Sequence, residues 1–288
     1  MKKKIIINGY FRSGTTIIWH LIKHSNKNRL FLYEPCHQDI CDKILHSSKD
    51  AHPIHGIKLW EDYSFLSDEI INIFMCHRGD SFFPNYSFFS LLTNILSEQP
   101  DFIGYQTNRC HFILKDFAKD KNFIPIHIIR NPVSVWNSMI NFKIKSGVFP
   151  FLERAKFFLF KKNLFNINDQ LKEILDFHVK KDFSCIERES AFMSFIFIWL
   201  ICNAYSIEQC NSYGGKVFFF QKKKEFIEEF SLYMNKIGIP FNNYNSIFKE
   251  DFNIEDERLS WYPDVKGYAE KMNCDRYLNI ITDFLSSH

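Results

Sequence analysis

Glycine and proline are scarce in this chain, with 10 and 9 among 288 residues. The sequence accordingly shows no repeats, no low-complexity tract and no long Gly/Ser linker, which makes a single domain with insertions the expectation. Excess charge is missing too. Thirty-six Lys and Arg against 33 Asp and Glu leave a net charge of +3, too small to argue for a nucleic-acid binder with its concentrated basic patch and suited to a protein with one anionic pocket. The clusters Lys2 to Lys4 and Lys222 to Lys224 read as solvated ends of secondary-structure elements. The 8 cysteines form no CxxC pair and no Cys/His metal spacing. That excludes a zinc framework and fits reduced, mostly buried thiols of a cytoplasmic protein. The start "MKKKIII" has the positive charge of a secretion signal, but its apolar run stops at Asn8, short of an h-region. No apolar run reaches bilayer length either. The most apolar window, "AFMSFIFIWLICNAY" (Ala191 to Tyr205), spans about 15 residues where about 20 are needed, so a buried helix is expected there.

What the chain has in quantity is aromatic surface: 17% of residues, 33 of them Phe, enough for an apolar core and an apolar substrate groove. "KKIIIN" reads as a buried strand closed by Asn8-Gly9. "TTIIWHLIKH" puts Ile17, Ile18, Leu21 and Ile22 on one helical face. Further strands are expected at "IHGIKLW" (Ile54 to Trp60), "IINIFMC" (Ile70 to Cys76), "FIPIHIIR" and "KVFFFQ". Helical patterns, such as "FFSLLTNIL" and "KKEFIEEFSLYMNKIG", lie between them. Strands alternating with helices imply an α/β fold of three layers around a mostly parallel central sheet. The core is expected at about 1–145 and 212–240. A strongly apolar helical insertion over about 146–211 would pack beside the carboxyl edge of the sheet, where such folds bind ligands. The tail, 241–288, offers only aromatic anchors.

Two stretches carry chemistry. In "GYFRSGTT" a turn and a helix N-terminus follow the first strand, so main-chain N–H groups and the partial positive charge of the helix face one concavity. Ser13, Gly14, Thr15 and Thr16 complete that turn, and Arg12 adds a cation able to hold two oxyanion oxygens. The arrangement suits phosphate or sulfate. A nucleoside-triphosphatase loop would need a lysine where Thr15 stands. In "IHIIRNPVSVWNSMI" (Ile126 to Ile140) a strand ends at Arg130, Asn131 caps a helix, and Pro132 opens its first turn. Ser138, about 9 Å along that helix, could reach the same phosphate as Arg130.

These two elements, in this order, resemble the PAPS-dependent sulfotransferases, PAPS being 3′-phosphoadenosine-5′-phosphosulfate. The first resembles that family's 5′-phosphosulfate loop, where R/K-S-G-T-T follows the first strand. The second is similar to its 3′-phosphate element, with an arginine at the strand end and a serine eight residues on. Protein-tyrosine and bacterial carbohydrate sulfotransferases show the closest stretches. The resemblance implies a P-loop-like fold and PAPS as co-substrate without a metal. It also implies sulfuryl transfer to a hydroxyl of a carbohydrate, glycolipid or similar acceptor, with peripheral membrane association if the acceptor is a lipid. No pattern in the residues sets an oligomeric state.

Under that resemblance Arg12 and Thr15 stabilise the leaving group, while Arg12, Ser13, Gly14, Thr15, Thr16, Arg130 and Ser138 bind the nucleotide. Glu34 in "FLYEPCH" is the expected base, similar in place to the glutamate of carbohydrate and tyrosine sulfotransferases. Pro35 predicts an extended backbone at Glu34, at a strand end facing the cleft. His37 and His55 are the alternatives for the base, and Lys58 is a candidate contact to the sulfuryl oxygens. "YQTNRCHFIL" resembles a Q-x-N-R segment of bacterial members, in which Arg109 would meet nucleotide or an acidic acceptor. The late R-K-G-x-x-G-D-W-K segment of the steroid and phenol branch has no counterpart here, and "FFFQKKKEF" replaces the Y-E-x-L stretch of many relatives. The motifs cover residues 4–140, with 216–240 similar by pattern alone. The competing readings are a P-loop kinase-like phosphotransferase and a nucleotide-binding scaffold without turnover.

Overall fold

Three successive isoleucines, Ile5, Ile6 and Ile7, are wholly buried in the first strand, β1 (Lys4–Gly9). Burial of adjacent residues, whose side chains point to opposite faces, marks a strand covered on both sides. The computed structural model describes residues 3–37, 40–46, 58–77, 81–97, 99, 101–119, 123–145, 166–179, 190–220, 223–242 and 260–287. Within them β1 is the middle of a five-stranded sheet, completed by β2 (Leu30–Tyr33), β3 (Phe102–Thr107), β4 (Phe123–Ile129) and β5 (Lys216–Phe219). The order is β2-β3-β1-β4-β5 and every pairing is parallel. After β1 the chain runs outward to β2. After β3 it crosses β1 to β4. The loops leaving β1 and β4 therefore diverge and leave a crevice at the carboxyl edge of the sheet, where α/β proteins place ligands.

Gly104 shows how closely these strands approach. It pairs with Ile5 at φ +146°, and a Cβ there would sit 1.8 Å from the Ile5 carbonyl oxygen.

Helices cover the sheet in a three-layer α/β arrangement. Helix α1 (Thr15–Ser25) packs on β1, β2 and β3 through Ile18, Trp19, Leu21 and Ile22. Beyond the short α2 (Ile40–His46) come α3 (Asp68–His77), α4 (Tyr86–Ser97), α5 (Leu114–Lys119) and α6 (Pro132–Lys145). The segment expected as a helical insertion supplies α7 (Ile167–Glu173), which runs on into a wider turn over Ile174–His178, and α8 (Ala191–Ser212). Helix α8 packs directly on β4 and β5. Its 22 residues are long and apolar enough to cross a membrane by length and composition, but 83% of its most apolar window is buried inside the protein. The expected buried helix is thus present and longer than the apolar run suggested. Helix α9 (Lys223–Lys236) covers β5 and stops before Gly238.

The tail adds α10 (Tyr262–Lys271) and α11 (Asp275–Ser287), which dock on α8. The Trp261 ring meets Trp199 at 5.2 Å, a T-shaped contact that makes the tail part of the core.

Among the described residues, two further expected stretches do not form strands. Ile70 to Cys76 belong to α3: Ile70, Ile73 and Phe74 are buried at helical spacing, Met75 and Cys76 are exposed, and Asp68 and Glu69 favour a helix start. Of Ile54 to Trp60, the described end, Lys58 to Trp60, is a turn leading into a short 3₁₀ stretch at Glu61–Phe65, and the remainder lies outside the described residues. Their places are taken by β2 and β3.

Candidate active site

The turn after β1 is built around its own main chain. The Ser13 N–H donates to the Tyr10 carbonyl at 3.1 Å, and the Ser13 hydroxyl donates to the same oxygen. Gly14 then takes a left-handed conformation (φ +95°) as the N-cap of α1, and its carbonyl accepts from Ile17 and Ile18. The Thr15 and Thr16 amides occupy the first helical turn, where N–H groups have no acceptor within the helix. Arg12 is left-handed as well, at φ +65°, unusual for a residue with a side chain and common where a loop is shaped around a ligand.

Other elements hold that conformation. Arg130, one residue past β4, donates from Nη1 to the Arg12 carbonyl at 2.9 Å. Ser138 on α6 accepts from Arg12 Nε at 3.1 Å. Asn131 caps α6 through Oδ1, which accepts from the Val133 and Ser134 N–H groups at 2.9 and 3.2 Å. Arg12, Arg130 and Ser138 therefore share one side of the sheet edge, although Ser138 lies 126 residues from Arg12. Burial lowers the pKa of the Arg12 guanidinium and Tyr33 acts in the opposite sense.

The threonine hydroxyls point away from that cluster, toward Glu34. Thr15 Oγ1 donates to Asn108 Oδ1 at 2.9 Å, and Asn108 Nδ2 donates to Glu34 Oε1. Thr16 Oγ1 and the Tyr33 hydroxyl lie 2.9 Å apart, and the Tyr33 hydroxyl is also hydrogen-bonded to the Glu34 carboxylate. Glu34 lies one residue past β2, and its N–H continues the ladder to the Gln106 carbonyl at 2.8 Å. It does not have the extended backbone expected before Pro35. Its φ is +42°, and its carbonyl accepts from His37 N–H at 2.9 Å in a tight turn that swings the carboxylate under the loop. Burial raises the Glu34 pKa, against the lowering effects of Arg109, Tyr33 and Asn108.

Of the other candidates, His37 and Lys58 fall outside this cluster. His37 is half-buried, with its ring 5.5 Å from Trp60 in a T-shaped contact. Lys58 is exposed, and His55 lies outside the described residues. Arg109 is buried beside Glu34, its guanidinium 4.5 Å from the Phe82 ring and 5.8 Å from Phe11. The wall it forms is fixed by α7. The Glu173 carboxylate accepts from the Phe82 and Phe83 N–H groups and the Ser81 hydroxyl, and Gln170 Oε1 accepts from Tyr10 at 3.0 Å.

Tyr33 is a functional candidate outside every motif, and Asn108 is one that the Q-x-N-R resemblance includes without giving it a role. The available signal was a polar run, Gln106 to Arg109, just past a fully buried strand. A neutral polar floor supports them. Asn8 Oδ1 accepts from Cys110 N–H, which leaves Asn8 Nδ2 to donate to Nδ1 of His111 (3.0 Å) and of His127 (3.2 Å). The opposite ring nitrogens then donate: His111 Nε2 to the Asn108 carbonyl at 3.1 Å, and His127 Nε2 to Asn203 Oδ1 at 2.9 Å. Both imidazoles are buried and neutral. Desolvation moves the His127 pKa down to about 4, and moves His111 well below 6.5, with His127 adding to the effect.

No family model and no solved structure matches this chain. A protein of Archaeoglobus fulgidus, described as an uncharacterized protein, is similar to it: 26% identical over 314 residues, covering 98% of this chain and 97% of the other. The likeness runs nearly end to end of both chains.

The site thus brings together main-chain donors, two guanidiniums and a buried carboxylate. Among the described residues no three His, Cys, Asp or Glu side chains are grouped to hold a metal ion.

Proposed function

We propose that this chain is a sulfotransferase that moves a sulfuryl group from PAPS to a hydroxyl of a carbohydrate or glycolipid acceptor. One observation carries the reading: Arg12, Arg130 and Ser138, expected from two separate motifs, converge on one edge of the sheet beside the amides of the first turn of α1. Two cations and a row of N–H donors at one edge fit a ligand with phosphate groups at both ends. When bound, PAPS supplies the electrophilic sulfur and a nucleotide phosphate as leaving group.

The residues take the following roles in that reading. Arg130 and Ser138 hold the 3′-phosphate. The main chain of Gly14, Thr15 and Thr16 holds the 5′ end, with Ser13 keeping the turn closed. Arg12 and Thr15 stabilise charge on the leaving oxygen. Glu34, one hydrogen-bonded residue from Thr15, takes the proton of the acceptor hydroxyl. Its burial favours the neutral form and so makes the carboxylate a stronger base than one in water. Arg109, between Phe11 and Phe82, lies where an acceptor with apolar and anionic parts would meet the protein.

Isothermal titration with adenosine 3′,5′-bisphosphate tests the reading. Micromolar binding that does not require Mg²⁺ is expected. Binding of ATP only in the presence of Mg²⁺ would instead indicate phosphoryl transfer. Turnover is then read with labelled PAPS and a panel of sugar and glycolipid acceptors.

A further inference from the structure

The two threonines that open α1 each begin a hydrogen-bonded chain, and both chains end on the same carboxylate. In one, Thr15 donates to Asn108 and Asn108 donates to Glu34. In the other, the Tyr33 hydroxyl is bonded to Glu34 and to Thr16. Since Tyr33 has one proton to give, its donation to the carboxylate leaves it accepting from Thr16. Every donor in both chains then points from the loop toward Glu34. Such chains polarise one another, so the first donor strengthens the last bond.

An oxyanion in the loop changes this. It offers the threonine hydroxyls a charged acceptor, which outcompetes the neutral oxygens of an amide or a phenol. We propose that Asn108 and Tyr33 are positioning residues that couple occupancy of the anion loop to Glu34, so that filling the loop turns Thr15 and Thr16 away from both chains and makes the carboxylate more basic. This rests on the sulfotransferase reading for its purpose, since the base would be strengthened only when a donor is in place. Its mechanism needs only an oxyanion.

The geometry favours movement of the hydroxyls over movement of the relay residues. Asn108 is held from below by His111 Nε2, and its Oδ1 keeps a second donor, Gln106 Nε2 at 3.1 Å, after Thr15 turns away. Tyr33 is fixed by edge contacts with Trp19 and Trp60 at 5.4 and 5.3 Å. The ionisable groups facing Glu34 are Arg109 from the turn after β3, Tyr33 from β2, Cys36 from the following turn and Tyr63 from the 3₁₀ stretch. Arg109 is the cation among these, and no step of the coupling moves it.

The test follows the Glu34 carboxyl by ¹³C NMR in protein labelled at glutamate Cδ, its signal assigned with Glu34→Gln. The pH titration is run alone, with adenosine 3′,5′-bisphosphate and with sodium sulfate. In the native chain either anion is expected to raise the midpoint by a few tenths of a pH unit, because each chain loses the roughly 10–30% strengthening supplied by its first donor and keeps the bond to the carboxylate itself. In Tyr33→Phe combined with Asn108→Leu the midpoint without anion should already be higher, and the anion-induced rise should fall by at least about half. Thr15→Val with Thr16→Val, which leaves Asn108 and Tyr33 intact, should show the same reduced response. Equal rises in the native chain and both double variants would mean that anion charge alone acts, and would overturn the coupling. So would the absence of any shift with either anion. A shift with sulfate but no binding of the bisphosphate would leave the coupling standing and remove the nucleotide reading.

Discussion

At Glu34 two costs meet, a carboxyl taken out of water and a left-handed backbone in front of a proline. Such a residue is kept where its chemistry is needed. Glu34→Gln is expected to lower kcat by about a hundredfold or more while the Kd for adenosine 3′,5′-bisphosphate changes little, the pattern for loss of a general base. Only the carboxylate accepts a proton, and burial raises its pKa above 4.5. The rate in the native chain should therefore fall, with decreasing pH, at a higher value than an exposed glutamate would give, and initial rates across pH would show it. Arg130→Ala should act on binding instead. Losing a charged donor costs about 1.5–3 kcal/mol, or roughly ten- to a hundredfold in Kd by titration. Arg130 also holds the Arg12 carbonyl, so part of that loss would come from the loop losing its shape.

Among the elements, what the sequence made legible is what local patterning controls. The isoleucine run of β1, the apolar face of α1, the Asn131 cap with Pro132 and the stop of α9 before Gly238 all follow from neighbouring residues alone. The strand expected at Ile70 to Cys76 failed because a short apolar run fits either period, and here exposure of Met75 and Cys76 shows the helical one. Asn108 could not be placed beside Glu34 from the sequence, because their meeting depends on β2 pairing with β3. That pairing rests on Gly104, which comes against Ile5 on the other side. Gly104→Ala should cost more than about 4 kcal/mol in denaturant unfolding, or leave the chain insoluble, because the clash is with main chain on a central strand. Asn131→Ala should cost only about 1 kcal/mol, as for an ordinary N-cap, and weaken nucleotide binding through Ser138.

The molecule as a whole is held together across its middle by α8, which meets the sheet on one side and α11 on the other. Its polar contacts give the protein a pH signature. His127, with an ordinary value of 6.5 and a buried one of about 4, binds fewer protons folded than unfolded between those values. Stability should thus be fully present above about pH 6.5 and decline by up to about 3 kcal/mol as pH falls toward about 4. His111 acts in the same direction. Glu34 acts in the opposite one, since its raised pKa lends stability at low pH that is lost as pH rises through its folded value. Chemical denaturation from pH 7.5 to 4.5 should show the histidine trend, and His127→Gln should flatten it.

The same histidines explain how so apolar a helix finds its proper surroundings. Asn203 holds His127, Ser206 holds His111, and Gln209 holds main chain at His111 and Lys115, all from one edge of α8. In lipid those side chains would leave their partners behind, at the expense that a hydrocarbon interior exacts for every unmatched amide or hydroxyl. That polar seam therefore does double duty. It steadies the ground beneath Asn108, and it ties the most apolar helix of the described chain to its own sheet.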